Sequence, residues 1–297
     1  MRSKKRNNNG LKIFVSILAI LVIGILGYIY SIYANVKDSM DTAYTPVEVE
    51  TFRTSNTGTV ADSSEDEESR TNAGAMTPSE LLEAGEPVSI LLLGVDTGDL
   101  GRTEQGRSDS MVVVTINPHT QKTTLLSIPR DTYTEIVGYG TSDKINHAYA
   151  FGGTAMSINT VQQMLDIPID FYVMVNMAGI QEIVDAVGGI TVESPLTFNQ
   201  NGYDFVQGTN QLDGEAALAF ARMRYEDPAG DTGRQGRQRL VIEAVIRKLA
   251  TPETLLNYQT ILQSLSSNVQ TSFQLSDFYT LQSQDYLGAV DNMNQQQ

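Results

Sequence analysis

Residues Met111–Pro129 read MVVVTINPHTQKTTLLSIP, two short apolar runs separated by the turn His119–Gln121. Short runs of β-branched residues and leucine, bounded by turn residues, are typical of strands buried in the centre of a sheet. Runs of the same character lie on either side of this stretch, at Ser89–Asp96 and Asp170–Met177, and Gly189–Val192 is a further candidate strand. The sequence therefore predicts a sheet of four or five strands with a buried centre.

Helical patterns lie between and after these strands. Four segments have apolar residues at helical spacing, namely Thr154–Leu165, Met177–Val187, Gly214–Ala221 and Asp231–Leu249. Strands that are interspersed with helices predict an α/β domain, in which helices pack on the faces of a central sheet.

The N-terminal part of the chain predicts a membrane anchor. The run Leu11–Tyr30 contains one charged residue, Lys12, and about twenty residues are enough to cross a bilayer of roughly 30 Å. Basic residues cluster before the run, which favours a cytoplasmic N-terminus. We therefore expect a cytoplasmic tail at 1–10, a transmembrane helix at 11–33 and an exterior domain at 86–297. A cleaved signal peptide is the alternative, but its apolar core is usually only ~7–15 residues long.

Composition limits the function. Residues 34–85 are rich in Thr, Ser, Glu and Asp, with SSEDEESR at Ser63–Arg70, and predict a disordered acidic stalk. The net charge of −15 is a poor surface for nucleic acid. The chain has no cysteine and two histidines, which excludes disulfides and thiolate zinc sites. A bound metal would therefore have oxygen ligands, which suits Mg²⁺, Mn²⁺ or Ca²⁺.

Acidic residues and arginines stand where strands and helices meet loops. Asp96 ends one predicted strand, and Asp109 directly precedes another, so both could approach one cation. Each alone is more often a turn or cap residue. Five arginines and one glutamine are concentrated in the motifs IPRD, FARMRY and GRQGRQ, and they are Arg130, Arg222, Arg224, Arg234, Arg237 and Gln238. Arginines of an acidic protein are commonly surface ion pairs, but this concentration favours phosphate binding.

Local geometry supports two parts of this arginine set. Arg222 and Arg224 are two residues apart, so an extended segment would place them on one face. Arg234, Arg237 and Gln238 share a helical face beside the positive end of the predicted helix Asp231–Leu249.

Other polar residues carry weaker signals. Lys144, in the predicted loop DKINHAYAFGG, is a candidate phosphate contact. His147 is a candidate proton carrier, although loop histidines are more often capping or packing residues. Serine hydrolase, P-loop and zincin signatures are absent from the sequence.

Six ordered blocks together resemble the LytR-CpsA-Psr family. The blocks are LLLGVD, GRSDSMVVVTINP, TTLLSIPRDTY, KINHAYAFGG, IDFYVMVNMAGIQEIVDAVGGI and LDGEAALAFARMRYEDPAGDTGRQGRQRLVI. The resemblance implies a central mixed β-sheet flanked by helices in three layers. It also implies a phosphotransferase that moves an anionic glycopolymer, such as wall teichoic acid or capsule, from undecaprenyl pyrophosphate to a peptidoglycan sugar hydroxyl at a Gram-positive surface.

The resemblance also implies roles for particular residues. Residues at the positions of Asp96 and Asp109 help hold Mg²⁺, for which Mn²⁺ is a substitute. Pyrophosphate is bound by the basic and amide residues Arg107, Arg130, Lys144, Arg222, Arg224, Arg234, Arg237 and Gln238. We expect the reaction to depend on Arg130, Arg222, Arg224, Arg234 and Asp131. The general base stays open between Asp131 and Asp109.

Other functions stay open on the sequence alone. A membrane-bound transcriptional regulator is the alternative from another class, but about ten residues on the cytoplasmic side are too few for a DNA-binding module. A non-catalytic receptor for lipid-linked pyrophosphate, or a hydrolase that releases the polymer to water, would use the same residues. The polar end DNMNQQQ (291–297) predicts no final apolar strand, so we expect a closing element of the domain to be missing.

Overall fold

A computed structural model of the protein describes residues 43–48, 76–96, 105–251, 268–283, 286–290 and 292–296, together with Ala34 and Asp41. The strands are β1 Val88–Val95, β2 Ser108–Asn117, β3 Lys122–Ser127, β4 Tyr133–Ile136, β5 Thr141–Lys144, β6 Phe171–Asn176, β7 Ile190–Ser194, β8 Phe198–Gln200, β9 Tyr203–Phe205, β10 Gly208–Leu212, β11 Val269–Thr271 and β12 Met293–Gln296. The helices are α1 Pro78–Glu83, α2 His147–Leu165, α3 Met177–Ala186, α4 Gly214–Arg222, α5 Gly230–Leu249, α6 Leu275–Ser283 and α7 Tyr286–Val290.

A six-stranded mixed sheet forms the centre, with strand order β11-β6-β1-β2-β3-β12. The three strands β1, β2 and β3 are antiparallel neighbours, whereas β6 is parallel to β1. The register pairs Leu93 with Met111 on β2 and with Met174 on β6. Because both faces of these strands are covered, they are apolar along most of their length. The predicted α/β class and the four predicted central strands are confirmed.

Helices cover both faces of the sheet and give the three layers. On one face, Leu91 and Met111 pack against Ile158 and Val161 of α2. On the other face, residues of the sheet pack against α1, α6 and α7 and against the partly buried α5 residues Ile242 and Ile246, and they include Ile90, Val112, Val114 and Leu125. The prediction of a central sheet flanked by helices is therefore correct.

A smaller unit extends from the sheet and has its own core. It contains α3, the hairpin partners β7 and β10, the hairpin β8–β9, α4 and part of α5, and its centre is Phe198, Phe205 and Phe220. The predicted fifth strand, Gly189–Val192, was expected near the central sheet. It lies here as β7, where Ile190 pairs with Leu212 of β10. Its alternating burial distinguishes it from the central strands.

Helix α2 begins earlier than its apolar pattern predicts. The pattern indicates Thr154–Leu165, but the helix starts at His147 and contains a kink at Gly152 and Gly153, where the backbone is not helical. This kink explains why the apolar period is visible only after Gly153. Lys144, which was expected in a loop, is the last residue of the short strand β5.

Parts of the predicted stalk pack on the domain. Ala43 is buried, Thr45 N donates to Thr271 O at 2.9 Å, and the Tyr172 hydroxyl donates to Thr45 O. Helix α1, with the buried residues Leu81 and Leu82, also lies within the predicted stalk. A disordered stalk over all of 34–85 is therefore wrong for these segments.

The polar C-terminal segment forms an edge strand. In β12, Met293 pairs with Thr123 and Gln296 pairs with Leu126, in parallel with β3. The strand is polar, as the sequence indicated, but the expectation of a missing closing element is wrong for this segment. Backbone hydrogen bonds to a neighbouring strand do not require an apolar sequence at an exposed edge.

The predicted anchor at 11–33 and the cytoplasmic tail at 1–10 lie outside the described residues. Among the helices that the structure describes, none is both long and apolar enough to span a bilayer.

Candidate active site

The ends of β1 and β2 place two predicted carboxylates at one end of the sheet. Val95 pairs with Ser108, Asp96 N donates to Arg107 O at 3.2 Å, and the Asp96 carboxylate accepts from Arg107 N at 2.5 Å. Asp109 is the second residue of β2 and lies two residues after Arg107. The structure therefore places Asp96, Asp109 and the exposed Arg107 at the same end of this strand pair.

Arg130 lies after β3 and contacts Asp109 of the neighbouring strand β2. It lies three residues after Ser127, the last residue of β3, and its Nη1 donates to Asp109 Oδ1 at 2.9 Å. Its guanidinium also lies 3.8 Å from Asp131 and 4.0 Å from Asp231. Arg130 therefore lies among three carboxylates, with about one fifth of its side chain exposed.

Asp231 connects three arginines and is the site residue that the sequence did not indicate. In the first turn of α5, its Oδ1 lies 2.7 Å from Arg234 Nη2, 3.9 Å from Arg224 Nε and 4.0 Å from Arg130 Nη2. From the sequence, Asp231 was expected only as the first residue of a helix. The signal that could have found it is an acidic residue three positions before an arginine at the start of a helix, a spacing that pairs charges.

Asp131 and Lys144 extend this cluster along the β4–β5 hairpin. Lys144 Nζ donates to Asp131 Oδ1 at 2.6 Å, and both side chains are about half exposed. This hydrogen bond lowers the pKa of the Asp131 carboxyl below its ordinary value, against a small desolvation effect. We define the charge cluster as Asp109, Arg130, Asp131, Lys144, Arg224, Asp231 and Arg234.

The pKa values of the two partly buried arginines of the charge cluster, Arg130 and Arg234, are shifted in opposite directions. Partial burial disfavours the charged form of Arg130, but the hydrogen bond and charge of Asp109, with Asp231 and Asp131, raise its pKa above the ordinary value. Burial lowers the pKa of Arg234, and the charge of Arg130 adds to this effect, while Asp231 opposes it. Both guanidiniums are charged near neutral pH, because the ordinary pKa of arginine lies far above neutral pH.

Three buried guanidinium nitrogens of the charge cluster make no hydrogen bond to the described residues. They are Nε of Arg130 and both Nε and Nη2 of Arg234, of which Nη2 makes only an ion pair with Asp231. Leaving a buried charged donor unpaired costs more than 1–3 kcal/mol, so such groups favour a ligand that supplies oxygen atoms. Phosphate oxygens match the planar fork of arginine.

Arg237 does not belong to this site. It was predicted to bind pyrophosphate because it shares a helical face with Arg234, but its side chain is completely buried. Its guanidinium pairs with Asp227, and it donates to Phe220 O at 3.2 Å and to Met223 O. Arg237 therefore binds the turn that precedes α5, and its donors are not available to a substrate.

The remaining predicted residues, Arg222, Arg224 and Gln238, differ in position and exposure. Arg222 ends α4 and Met223 follows as its cap, so the expected extended segment with Arg222 and Arg224 on one face is absent from this part of the described chain. Arg224 is exposed and reaches Asp231, whereas Arg222 is half-buried. Gln238 is half-buried and follows Arg234 by one helical turn.

His147 lies beside the charge cluster rather than within it. Its Nδ1 is 2.7 Å from Asp143 Oδ2, and its ring contacts the edge of Phe151 at 5.7 Å. The neighbouring Asn146 N donates to Arg130 O at 3.3 Å. The hydrogen bond to His147 lowers the pKa of the Asp143 carboxyl. The other histidine, His119, lies 3.6 Å from Glu86 on the surface, as expected of a turn residue.

The family model for LytR-CpsA-Psr proteins matches residues 49–297. The chain belongs to the LytR-CpsA-Psr family. The sequence resemblance is thereby confirmed, over nearly all of the part predicted to be exterior.

Members of the LytR-CpsA-Psr family with names and structures are similar over most of the chain. A protein of Enterococcus faecalis strain V583 named polyisoprenyl-teichoic acid–peptidoglycan teichoic acid transferase TagU is 44% identical over 98% of this chain and 88% of its own length. The crystal structure of Bacillus subtilis TagU is 42% identical, with a TM-score of 0.58 over 71% of this chain and 84% of that one. An Enterococcus faecalis structure described as a transcriptional regulator is 46% identical, with a TM-score of 0.65 over 73% and 77%.

Metal binding by this LytR-CpsA-Psr domain was predicted at Asp96 and Asp109. Among the described residues, no group of three or more acidic or histidine side chains could hold a metal ion alone. Mg²⁺ is commonly held by one or two carboxylates together with substrate phosphates and water. Two carboxylates at one end of the β1–β2 pair therefore fit a cation that binds together with the substrate.

Proposed function

We propose that this protein transfers a teichoic-acid-type anionic glycopolymer from an undecaprenyl pyrophosphate carrier to a sugar hydroxyl of peptidoglycan. The relatives named as TagU support the reaction class and both substrates. The observation that carries the proposal is the group of three arginines around Asp231, with unpaired buried N–H groups on Arg130 and Arg234.

The chemistry of the reaction accounts for these residues. The acceptor oxygen attacks the phosphorus that carries the polymer, a new P–O bond forms, and the P–O bond to the lipid phosphate breaks. The products are a polymer–peptidoglycan phosphodiester, undecaprenyl phosphate and the hydroxyl proton. Negative charge develops on the leaving phosphate, and Arg130, Arg224 and Arg234 are placed to stabilise it, because guanidiniums bind phosphate oxygens in pairs.

A divalent cation is part of the proposal. Asp96 and Asp109 would hold Mg²⁺, or Mn²⁺ in its place, and the ion would neutralise charge on the pyrophosphate. We further propose that Lys144, Arg107, Arg222 and Gln238 contact the substrate at the border of the charge cluster. Asp131 and Asp109 both stay candidates for accepting the hydroxyl proton.

We also propose that the chain is anchored in the cell membrane. The basic residues before the apolar run and the length of that run support a single span with the domain outside the cell membrane. A carrier with a polyprenyl tail lies in the bilayer, so an anchored enzyme would meet its substrate there. Membrane lipid is therefore expected around the carrier.

A regulatory function is the second candidate, because one similar structure is described as a transcriptional regulator. A direct DNA-binding role is disfavoured by the charge of −15, since DNA-binding surfaces are basic. A receptor or a hydrolase would use the charge cluster in the same way, and only the products separate these functions from transfer.

Product analysis tests the proposal. The full-length chain in detergent micelles is incubated with an undecaprenyl-pyrophosphate-linked saccharide, with or without peptidoglycan oligomers, in Mg²⁺ or EDTA. Mass spectrometry of the oligomers should find a phosphodiester-linked saccharide that depends on the acceptor. Release of free saccharide phosphate without acceptor would instead indicate a hydrolase, and an intact bound donor under all conditions would indicate a receptor.

A further inference from the structure

Two aromatic side chains stack on each other at the surface beside the charge cluster. The rings of Tyr139 and Phe151 lie 4.0 Å apart at 9°, although 51% of Tyr139 and 38% of Phe151 stay exposed. Tyr139 is in the turn between β4 and β5, and Phe151 is in the first part of α2. Neither residue belongs to the buried core, so the pair has no evident role in holding the fold together.

The backbone around the pair is specialised. Gly138 and Gly140 flank Tyr139 with φ angles of +79° and +72°, a region that side chains with a Cβ rarely adopt. Phe151 directly precedes the kink in α2. Glycine adopts these φ angles without steric cost, so the two glycines let the chain turn tightly on both sides of Tyr139. Tyr139 therefore lies at the tip of a tight turn, where its ring stacks on Phe151 and stays half exposed.

Polar groups border the aromatic stack on one side. His147 meets Phe151 edge-on, and its Nδ1 shares a hydrogen bond with Asp143, whose side chain is about one third exposed. A pyranose ring presents an apolar C–H face and a rim of hydroxyls. Aromatic faces beside a carboxylate and an imidazole supply the matching apolar contact and hydrogen-bonding groups.

The β4–β5 hairpin connects this surface to the charge cluster. At its base, Tyr133 pairs with Lys144, whose Nζ binds Asp131, and Tyr133 is 73% exposed. At its tip is Tyr139. A four-residue strand spans about 13 Å, so a sugar chain bound along the hairpin could reach from the aromatic stack to the reacting phosphate.

We propose that Tyr139 and Phe151, with Tyr133, His147 and Asp143, form the subsite for the acceptor glycan strand. This inference rests on the proposed transfer function, since it names the surface for its second substrate. Charge favours the acceptor over the donor polymer: Glu135 and Asp143 lie on the hairpin, and its one basic residue, Lys144, is already paired with Asp131. These carboxylates repel a polymer of phosphates but not uncharged N-acetylated sugar rings.

Steady-state kinetics of the full-length chain in detergent micelles test this subsite. Tyr139→Ala and Phe151→Ala should each raise the acceptor KM about two- to tenfold, the range expected for one lost aromatic contact, with the donor KM and the kcat at saturating acceptor preserved. Tyr279→Ala is the matched control, because Tyr279 is 42% exposed on α6. An unchanged acceptor KM in both variants would overturn the inference, and a raised donor KM would assign the surface to the donor polymer.

A binding measurement separates failure of the subsite from failure of the proposed function. The chain has no tryptophan, so Tyr139→Trp introduces a single fluorescent reporter in the stack. Addition of peptidoglycan oligomers should shift its emission, and Asp143→Ala should weaken that response, whether or not transfer occurs. If the emission of Tyr139→Trp does not shift, although this variant still transfers with a normal acceptor KM, the proposed subsite is contradicted. A shift without transfer by the wild type would contradict only the transferase.

Discussion

Replacing the buried Arg237 with Met should destabilise the domain strongly. The side chain is fully buried, and it compensates Asp227, whose side chain is only 5% exposed. Removing one partner of a buried ion pair leaves a buried charge without compensation, which costs about 3–5 kcal/mol. Phe220 O and Met223 O would lose their donor as well. For a domain of this size, the loss corresponds to a fall in Tm of about 6–20 °C.

The assay compares the same substitution at two positions of α5. Arg247 pairs with Glu243 at 2.9 Å on the surface, and such exposed pairs contribute at most about 1 kcal/mol, so Arg247→Met should change Tm little. Both variants of the full-length chain are melted in detergent and followed by far-UV circular dichroism. If Arg237→Met lowers Tm no more than Arg247→Met does, the argument from burial is refuted.

The pH dependence gives a second check on this pair. Burial raises the pKa of Asp227, but hydrogen bonds from Arg237 and from Ala229 N outweigh it, so the pKa is lowered overall. A lowered carboxyl pKa contributes stability that is present above the unfolded pKa, near 3.9, and is lost as pH falls through the folded value. The difference in stability between wild type and Arg237→Met should therefore narrow as pH falls, because protonation relieves the uncompensated Asp227 of the variant, and the wild type loses its own contribution below about pH 4.

Three further outcomes follow from the charge cluster and are measured by the transfer assay. Arg130→Ala should lower kcat/KM by about ten- to a hundredfold, which corresponds to the loss of one charge-assisted hydrogen bond. Its circular dichroism spectrum should match that of the wild type. An unfolded variant would instead show that Arg130 stabilises the fold. Asp231→Asn should lower kcat without raising the donor KM, because the arginines lose their common partner while the site becomes more positive. A raised donor KM would contradict this. EDTA should abolish transfer and Mg²⁺ should restore it; full activity in EDTA would remove the metal role of Asp96 and Asp109.

The apolar strands were predictable because each carries its own signal. A strand such as Met111–Asn117, covered on both faces, must be apolar along its length, so the sequence alone identifies it. The hairpin β4–β5 is polar and mostly exposed, and its residues Tyr133–Ile136 and Thr141–Lys144 show no such run. Its strands depend on pairing with each other, which a local pattern does not reveal.

The arginines show a second limit of sequence reasoning. Arg234 and Arg237 are three residues apart on one helix and carry the same charge, so periodicity assigns them one role. Their environments differ because of residues elsewhere in the chain. Arg237 forms an ion pair with Asp227 of the preceding turn and is buried, whereas Arg234 forms an ion pair with Asp231 in the charge cluster. Only the tertiary structure separates a substrate-facing arginine from a structural one.

The formal charge of the charge cluster is too close to zero to balance a bound pyrophosphate, which supports the proposed binding of a divalent cation. The arginines at 130, 224 and 234 face carboxylates at 109, 131 and 231, and Lys144 adds one positive charge, so the formal charges of the cluster nearly cancel. A pyrophosphate brings about two to three negative charges into this partly buried space, and near-neutral surroundings do not offset its desolvation. A divalent ion held by Asp96 and Asp109 would add two positive charges. It would also weaken the hydrogen bond and ion pair between Arg130 and Asp109, because the Asp109 carboxylate would bind the ion. Arg130 could then donate to phosphate oxygens instead, so on this argument metal and donor should bind cooperatively.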